Sequence, residues 1–319
     1  MNRLWQSRLW RWLPATVDRR VRVIAWASLI SQTLIVGTGG AVRLTGSGLG
    51  CPTWPRCTAD SFVATPEMGI HGIVEFGNRL LTFVLVVIAI IAFAFVVRMR
   101  RDRPELLRLS VALGLGIPAQ AVIGGITVLT GLNAWIVGLH FVVSAVLVAL
   151  ATVFVVRVYR GPATGLLTVP PAYRALALAA TAGVWVTVLI GIVVTGAGPH
   201  AGDGGAARNG LDPELLQHVH SWPAYATFAA SVLLALGAVR LGRPLVRRAA
   251  LGLVAAEVAQ IAIGIAQARL GLPEILVGVH MVLACVLVAL ATLVLLSLRA
   301  TRAEVEAQGA PRVRAVVDA

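Results

Sequence analysis

Residues 120–152 read QAVIGGITVLTGLNAWIVGLHFVVSAVLVALAT, and residues 260–292 read QIAIGIAQARLGLPEILVGVHMVLACVLVALAT. Gln120 falls on Gln260 and His140 on His280, both at an offset of 140 residues, and VLVALAT ends both copies. The match extends upstream. VEFGNRLLTF (74–83) lies on LQHVHSWPAY (216–225) at an offset of 142, which sets Glu75 on Gln217 and Asn78 on His220. The chain is therefore read as a tandem duplication.

What is duplicated follows from composition. Of 319 residues, 58% are hydrophobic and 13% charged, with a mean hydropathy of +0.86. A soluble domain carries about a quarter charged residues. Apolar segments of the ~20 residues that cross a bilayer as helix occur near 23–42, 70–97, 109–129, 136–157, 175–196, 214–239, 249–269 and 275–298. The expected fold is an all-α integral membrane protein of eight transmembrane helices, arranged as two tandem pseudo-symmetric four-helix bundles. Four crossings per half give both halves one orientation, as in parallel repeats. The domains follow: an N-terminal tail over 1–22, one half over 23–160, the other over 161–298, and a polar tail over 299–319 expected to be disordered.

A net charge of +13 would suit nucleic acid, but its distribution points to a membrane. All 27 basic residues are Arg, and 22 of them fall on one side of an eight-span chain. They lie in the N-terminal tail, at 98–108, at 157–174, at 240–248 and from Arg299 onward. Arg43, Arg56, Arg208 and Arg269 fall on the other side, and Arg79 lies within a span. The positive-inside rule places both termini in the cytoplasm. The first apolar run lacks a small-residue cleavage site of the usual kind and is kept as a helix.

Polar residues inside spans mark function, and they gather near the outer ends of the even-numbered segments. His140, His220 and His280 sit at similar depth there. Facing histidines in a helix bundle can hold haem iron, and the chain has no cluster of cysteines or carboxylates that favours zinc or a di-iron centre. In the second half His220 and His280 fit a bis-His haem. His218 is about 200° around the helix from His220 and points elsewhere. In the first half the partner of His220 is Asn78, an amide and a poor iron ligand. His71 is seven residues earlier, about 10 Å along the axis on nearly the same face. His200 lies in a Gly-rich outer loop.

The combination resembles the heme A synthase family. The resemblance is carried by the eight-helix repeat, the loop GGAVRLTGSGLGCPTWPRC (39–57), the E-x-x-N-R stretch Glu75–Arg79, QAVIGG (120–125) and the paired histidines, and it covers about residues 23–298. It implies oxidation of the C8 methyl of haem o to the formyl of haem a through two hydroxylations and loss of water from a geminal diol. It implies a substrate-haem site in the N-terminal half and a haem b site in the C-terminal half. His220 and His280 would then ligate haem b, His140 would ligate the substrate haem, and Glu75 would be the essential acidic residue. The family pattern on the second helix is commonly E-x-x-H-R, and here Asn78 replaces the histidine. The expectation is iron held by His140 alone, or by His71 and His140.

Glu75 also has a physical case of its own. A base near the methyl could accept a proton during oxidation, or its charge could stabilise an electron-poor centre. It also sits four residues before Arg79, the favourable order for an intrahelical ion pair, and Arg79 could in addition meet a haem propionate. Cys51 and Cys57 flank PTWPR in an outer loop where disulfides are permitted, and the resemblance implies such a pair. Cys285 reads as a small buried hydrophobe. Glu257, whose repeat counterpart is Ile117, is either a proton-path residue or hydrogen-bonded in the core. The G-x-G in VRLTGSGLG has no preceding strand and is not a nucleotide site.

Two other functions fit parts of the pattern. A dihaem b-type electron carrier explains the His pair but neither Glu75 nor Asn78. A haem transporter or chaperone explains the repeat and the intramembrane charges but not a closed His220–His280 pair. The expected partners are haem o, a haem o synthase (farnesyltransferase) neighbour, an unidentified electron acceptor and the bilayer of the plasma membrane. No nucleic acid is expected, and the sequence leaves a homo-oligomer open.

Overall fold

A computed structural model describes residues 8–301 and 305; residues 1–7 and most of the 299–319 tail lie outside the described residues. After a short helix α1 (Arg8–Trp12) come eight long helices: α2 (Arg19–Leu44), α3 (Gly69–Val96), α4 (Pro104–Leu129), α5 (Ala134–Arg160), α6 (Pro171–Ala197), α7 (Pro213–Arg240), α8 (Pro244–Arg269) and α9 (Glu274–Ser297). Each is long and apolar enough to cross a membrane. The chain is a multi-pass, all-α membrane protein.

Several helices start a turn before their apolar runs, because capping chemistry rather than hydropathy sets the first residue. Asp18 precedes α2 and accepts from the Val21 amide at 3.1 Å. Asn133 and Asp212 cap α5 and α7 through their side chains. Proline opens α4, α6, α7 and α8, where its missing N–H costs nothing.

Within the first half, α2 and α4 each pack on both α3 and α5; within the second, α6 and α8 each pack on both α7 and α9. The seam between the two groups is formed by α2 and α5 against α9 and by α5 against α6. Val36, Val148 and Cys285 are buried there. This packing is compatible with two tandem four-helix bundles. The repeat also reappears in a backbone detail. The α4–α5 turn passes through Gly131 and Leu132 at φ 62° and 61°, and the α8–α9 turn through Gly271 and Leu272 at 74° and 61°. A leucine with positive φ is uncommon, and it occurs at equivalent places in both halves.

The Arg-rich helix ends meet at one end of the molecule. Arg98 donates to the carbonyls of Trp10, Arg11 and Leu13, Arg103 to Arg157, and Arg160 to Leu296. These cations satisfy carbonyls at the ends of chain segments, where partial negative charge accumulates. A feature not anticipated from the sequence lies at the same end. Strands β1 (Ala163–Leu167) and β2 (Arg299–Thr301) form a two-stranded antiparallel pair that ties the linker between halves to the end of α9. At the opposite end, Arg43 on α2 donates to the carbonyls of His200 (2.6 Å) and Thr195 (2.8 Å), and the Gly48 amide donates to the Gly202 carbonyl at 2.7 Å. These bonds join the α2–α3 connection to the α6–α7 connection.

Candidate functional site

In the second half, His220 on α7 and His280 on α9 face one another with ring centres 6.4 Å apart and planes at 67°. Two imidazole nitrogens each bonded to one metal ion at roughly 2 Å space their ring centres by about 6 Å. The ring separation is one at which both imidazoles could ligate the same metal ion. Nδ1 of both rings is buried and makes no hydrogen bond of ordinary geometry, while the Thr187 backbone lies close to the His220 ring and the Gln260 backbone close to the His280 ring. No group of three or more His, Cys, Asp or Glu side chains able to hold a metal ion occurs among the described residues. Two opposed imidazoles suit haem, which supplies the remaining donors itself.

Each ring lies against a glycine of the neighbouring helix. A Cβ on Gly264 of α8 would be 3.2 Å from His280 Cε1, and one on Gly191 of α6 would be 2.9 Å from His220 Cε1. Gln260 Nε2 donates to the His280 carbonyl at 3.1 Å. His218 is exposed, as its angular offset from His220 predicts.

The first half repeats one side of this arrangement and changes the other. His140 on α5 lies against Gly124 of α4, where a Cβ would again be 3.2 Å from Cε1. Gln120 Nε2 donates to the His140 carbonyl at 3.2 Å and also bonds Ser144. His140 Nδ1 is buried without a hydrogen bond. At the place of His220 stands Asn78, near Gly39 of α2 as His220 is near Gly191. The Asn78 amide is engaged, because its Oδ1 accepts from Thr38 Oγ1 at 2.8 Å. His71, in the first turns of α3, is exposed, and its Nδ1 is hydrogen-bonded to Ser47 Oγ at 2.9 Å.

Glu75 is 5% exposed. Its Oε2 accepts the Cys51 amide at 2.5 Å, and its Oε1 accepts Arg79 Nη2 at 2.5 Å and Nε at 3.2 Å. The intrahelical ion pair is formed. Arg79 also donates from Nη2 to the Cys51 carbonyl at 3.0 Å, and from Nη1 to Thr53 at 3.1 Å and Arg56 at 3.2 Å. Cys51 and Cys57 are joined as a disulfide, and both are fully buried. The loop presses on the helices around it. The Trp54 ring occupies the place a side chain on Gly125 of α4 would need, and the backbone at Gly50 meets the His71 carbonyl.

The structure thus brings together Glu75, Arg79 and the disulfide loop in one cluster, and His220 and His280 in another. Sequence reasoning missed Thr38, the Cys51 amide and the pairing of each site residue with a specific glycine. The Gly124–His140 and Gly264–His280 spacings are equal, so the repeat offset carried a signal for the last of these. Glu257 is buried on α8, with one oxygen accepting from Ser231 Oγ at 2.9 Å and the other unbonded.

A family model described as cytochrome oxidase assembly protein (COX15-CtaA) matches residues 22–292. The chain belongs to this family. Among its relatives, a heme A synthase of Geobacillus thermodenitrificans is 30% identical over 151 residues, covering 46% of this chain and 47% of the relative. A heme A synthase of Bacillus pumilus is 35% identical over 119 residues, covering 35% of this chain and 37% of the relative. A heme A synthase of Listeria welshimeri is 29% identical over 131 residues, covering 40% and 41%. The chain spans less than half the length of these curated relatives.

Proposed function

We propose that this family member is a heme A synthase that oxidises the C8 methyl of haem o to the formyl of haem a by successive hydroxylations. The observation that carries the reading is the inequality of the two halves. One has an opposed imidazole pair suited to a retained haem. The other has a single imidazole, an amide already bonded to Thr38, and a buried carboxylate.

In this reading residues 161–298 form the haem b half, and His220 and His280 would hold its iron. Haem b, when bound there, supplies one-electron redox chemistry. Gly191 and Gly264 set the two rings flush against their neighbouring helices, and Gln260 holds the His280 backbone. Residues 23–160 form the half that takes haem o. His140 would hold its iron, and the register of His140 is held by Gln120. Asn78 offers no second strong ligand, and His71, bonded to Ser47, leaves at most its other ring nitrogen.

Glu75 is the residue proposed to act on the methyl group, as a proton acceptor during oxidation or as a fixed negative charge beside an electron-poor carbon. Each hydroxylation replaces a C–H bond with C–OH; with water as the oxygen donor it releases two electrons and two protons, and loss of water from the resulting diol leaves the formyl. The electrons leave through an acceptor outside this chain. Both termini are placed in the cytoplasm with the Arg-rich ends, the membrane is the plasma membrane, and haem o comes from a farnesyltransferase neighbour.

The test is Glu75→Gln. It keeps the side chain's shape and is expected to retain haem b while lowering haem a formation by at least about 100-fold, the lower range for a positioned acid–base group. Normal conversion by this variant contradicts the assignment.

A further inference from the structure

The guanidinium of Arg79 has five N–H donors, and the structure accounts for all five. Two go to Glu75 Oε1 and three to the carbonyls of Cys51, Thr53 and Arg56. The same carboxylate closes the ring from its other oxygen, which accepts the Cys51 amide. None of the five remains for a propionate unless the loop is released. We infer that Arg79 is a positioning residue: it latches the Cys51–Cys57 loop down over α3 and thereby fixes Glu75, rather than holding the substrate porphyrin.

Three features support a latch over a chance ion pair. The contacts run between elements 23–28 positions apart in sequence, so they determine where the loop lies and not only how α3 is stabilised. The planar fork of arginine matches several acceptors at once in a way lysine does not. The loop is also seated from its far side, where Trp54 fills the space beside Gly125 and the backbone at Gly50 abuts His71. With the loop so held, both sulfurs are fully buried, and a water-soluble reductant reaches them only when the loop lifts.

This gives a measurement that needs no haem chemistry. The intact protein in lipid nanodiscs is treated with a water-soluble phosphine, and the thiols released are counted by a maleimide gel shift. The phosphine is oxidised to its oxide with oxygen from water, while the S–S bond takes up two electrons and two protons to give two thiols. Arg79→Gln is expected to expose the disulfide and speed its reduction on the order of tenfold or more, the worth of losing charge-assisted bonds that hold the closed loop. Arg79→Lys keeps the charge but loses the fork, and should fall between wild type and Arg79→Gln. Glu75→Gln keeps Arg79's bonds to the loop carbonyls but turns an amide N–H toward either Arg79 or the Cys51 amide, and should fall between wild type and Arg79→Gln. Arg79→Gln alone leaves a buried carboxylate without its cation, so the Glu75→Gln/Arg79→Gln double variant is measured beside it and should match its fast reduction. Wild-type reduction rates in Arg79→Lys and in the double variant overturn the latch.

That the latch serves oxidation rests on the proposed function. There the expected result is that the double variant turns over haem o no more slowly than Glu75→Gln alone, whereas independent structural damage would add. If Arg79 instead holds a propionate, its variants weaken haem o binding while the disulfide stays protected. Failure of the synthase reading leaves the reduction rates unchanged, so the two claims fail separately.

Discussion

In the C-terminal half two imidazoles meet across the bundle with ring centres 6.4 Å apart. In the N-terminal half the corresponding positions hold one such imidazole, His140, and an amide that Thr38 already occupies. Around these positions the same framework is used twice: a glycine behind each group, a glutamine bonded to the carbonyl of the histidine on the last helix, and a turn through Gly-Leu at positive φ. The frame is duplicated and the chemistry is not. What the first half adds is a carboxylate held by a disulfide loop. In the second half, Gln217 stands at the position of Glu75 by the repeat register, is exposed, and has no cysteine loop to meet.

The comparison breaks most sharply at the histidines. His280→Ala should abolish the low-spin bis-His spectrum while leaving haem o binding to the other half. His140→Ala should do the reverse. Optical and electron paramagnetic resonance spectra of the purified variants distinguish the two outcomes. Swapping the odd position is the next largest effect. Asn78→His restores the pattern common in the family and should create a second low-spin centre while haem o conversion is retained. Absence of a new low-spin signal would show that position 78 does not face the iron held by His140.

The glycines test the frame at smaller scale. A Cβ at Gly191 would stand 2.9 Å from His220, so Gly191→Ala must push the ring, at about 1–3 kcal/mol for an overpacked interior. At Gly39 the same atom would be 3.9 Å from Asn78, an ordinary contact. Gly39→Ala should therefore leave the thermal midpoint unchanged while Gly191→Ala lowers it and perturbs the haem b spectrum. The smallest contrast concerns Glu257. Ser231→Ala removes the hydroxyl bonded to this buried carboxylate and should destabilise by about 1–3 kcal/mol. By the repeat offsets, Ser231 and Glu257 correspond to Ala89 and Ile117, which line one cavity in the first half. The double change Ser231→Ala/Glu257→Ile copies that apolar solution and should cost less than Ser231→Ala alone, as read by thermal unfolding.

Much of this architecture was legible in the sequence because it is written in side-chain chemistry. Hydropathy marks eight spans, the Arg clusters mark one set of helix ends, and the 140-residue offset pairs His140 with His280. The Glu75–Arg79 ion pair was expected from its spacing, and the disulfide from the resemblance. What escaped is carried by backbone atoms or by pairs far apart in the chain. The Cys51 amide and the carbonyls of Cys51, Thr53 and Arg56 belong to any residue type, so nothing in the letters marks them as the partners of Glu75 and Arg79. Thr38 on α2 and Asn78 on α3 are separated by forty positions, with no periodicity to link them. The β1–β2 pair is a few residues of backbone pairing beyond the apolar runs, too short to leave a pattern of alternation.

The central claim is that the two halves hold different haems for different ends. The most direct measurement is extraction and mass analysis of the haems bound by wild type, His140→Ala and His280→Ala after supply of both haem b and haem o. The account predicts haem b together with haem o, its hydroxylated form or haem a in the wild type. It predicts that His140→Ala loses the haem o-derived species and keeps haem b, and that His280→Ala loses haem b. Recovery of haem b alone from the wild type, or loss of the same haem from both variants, would contradict it.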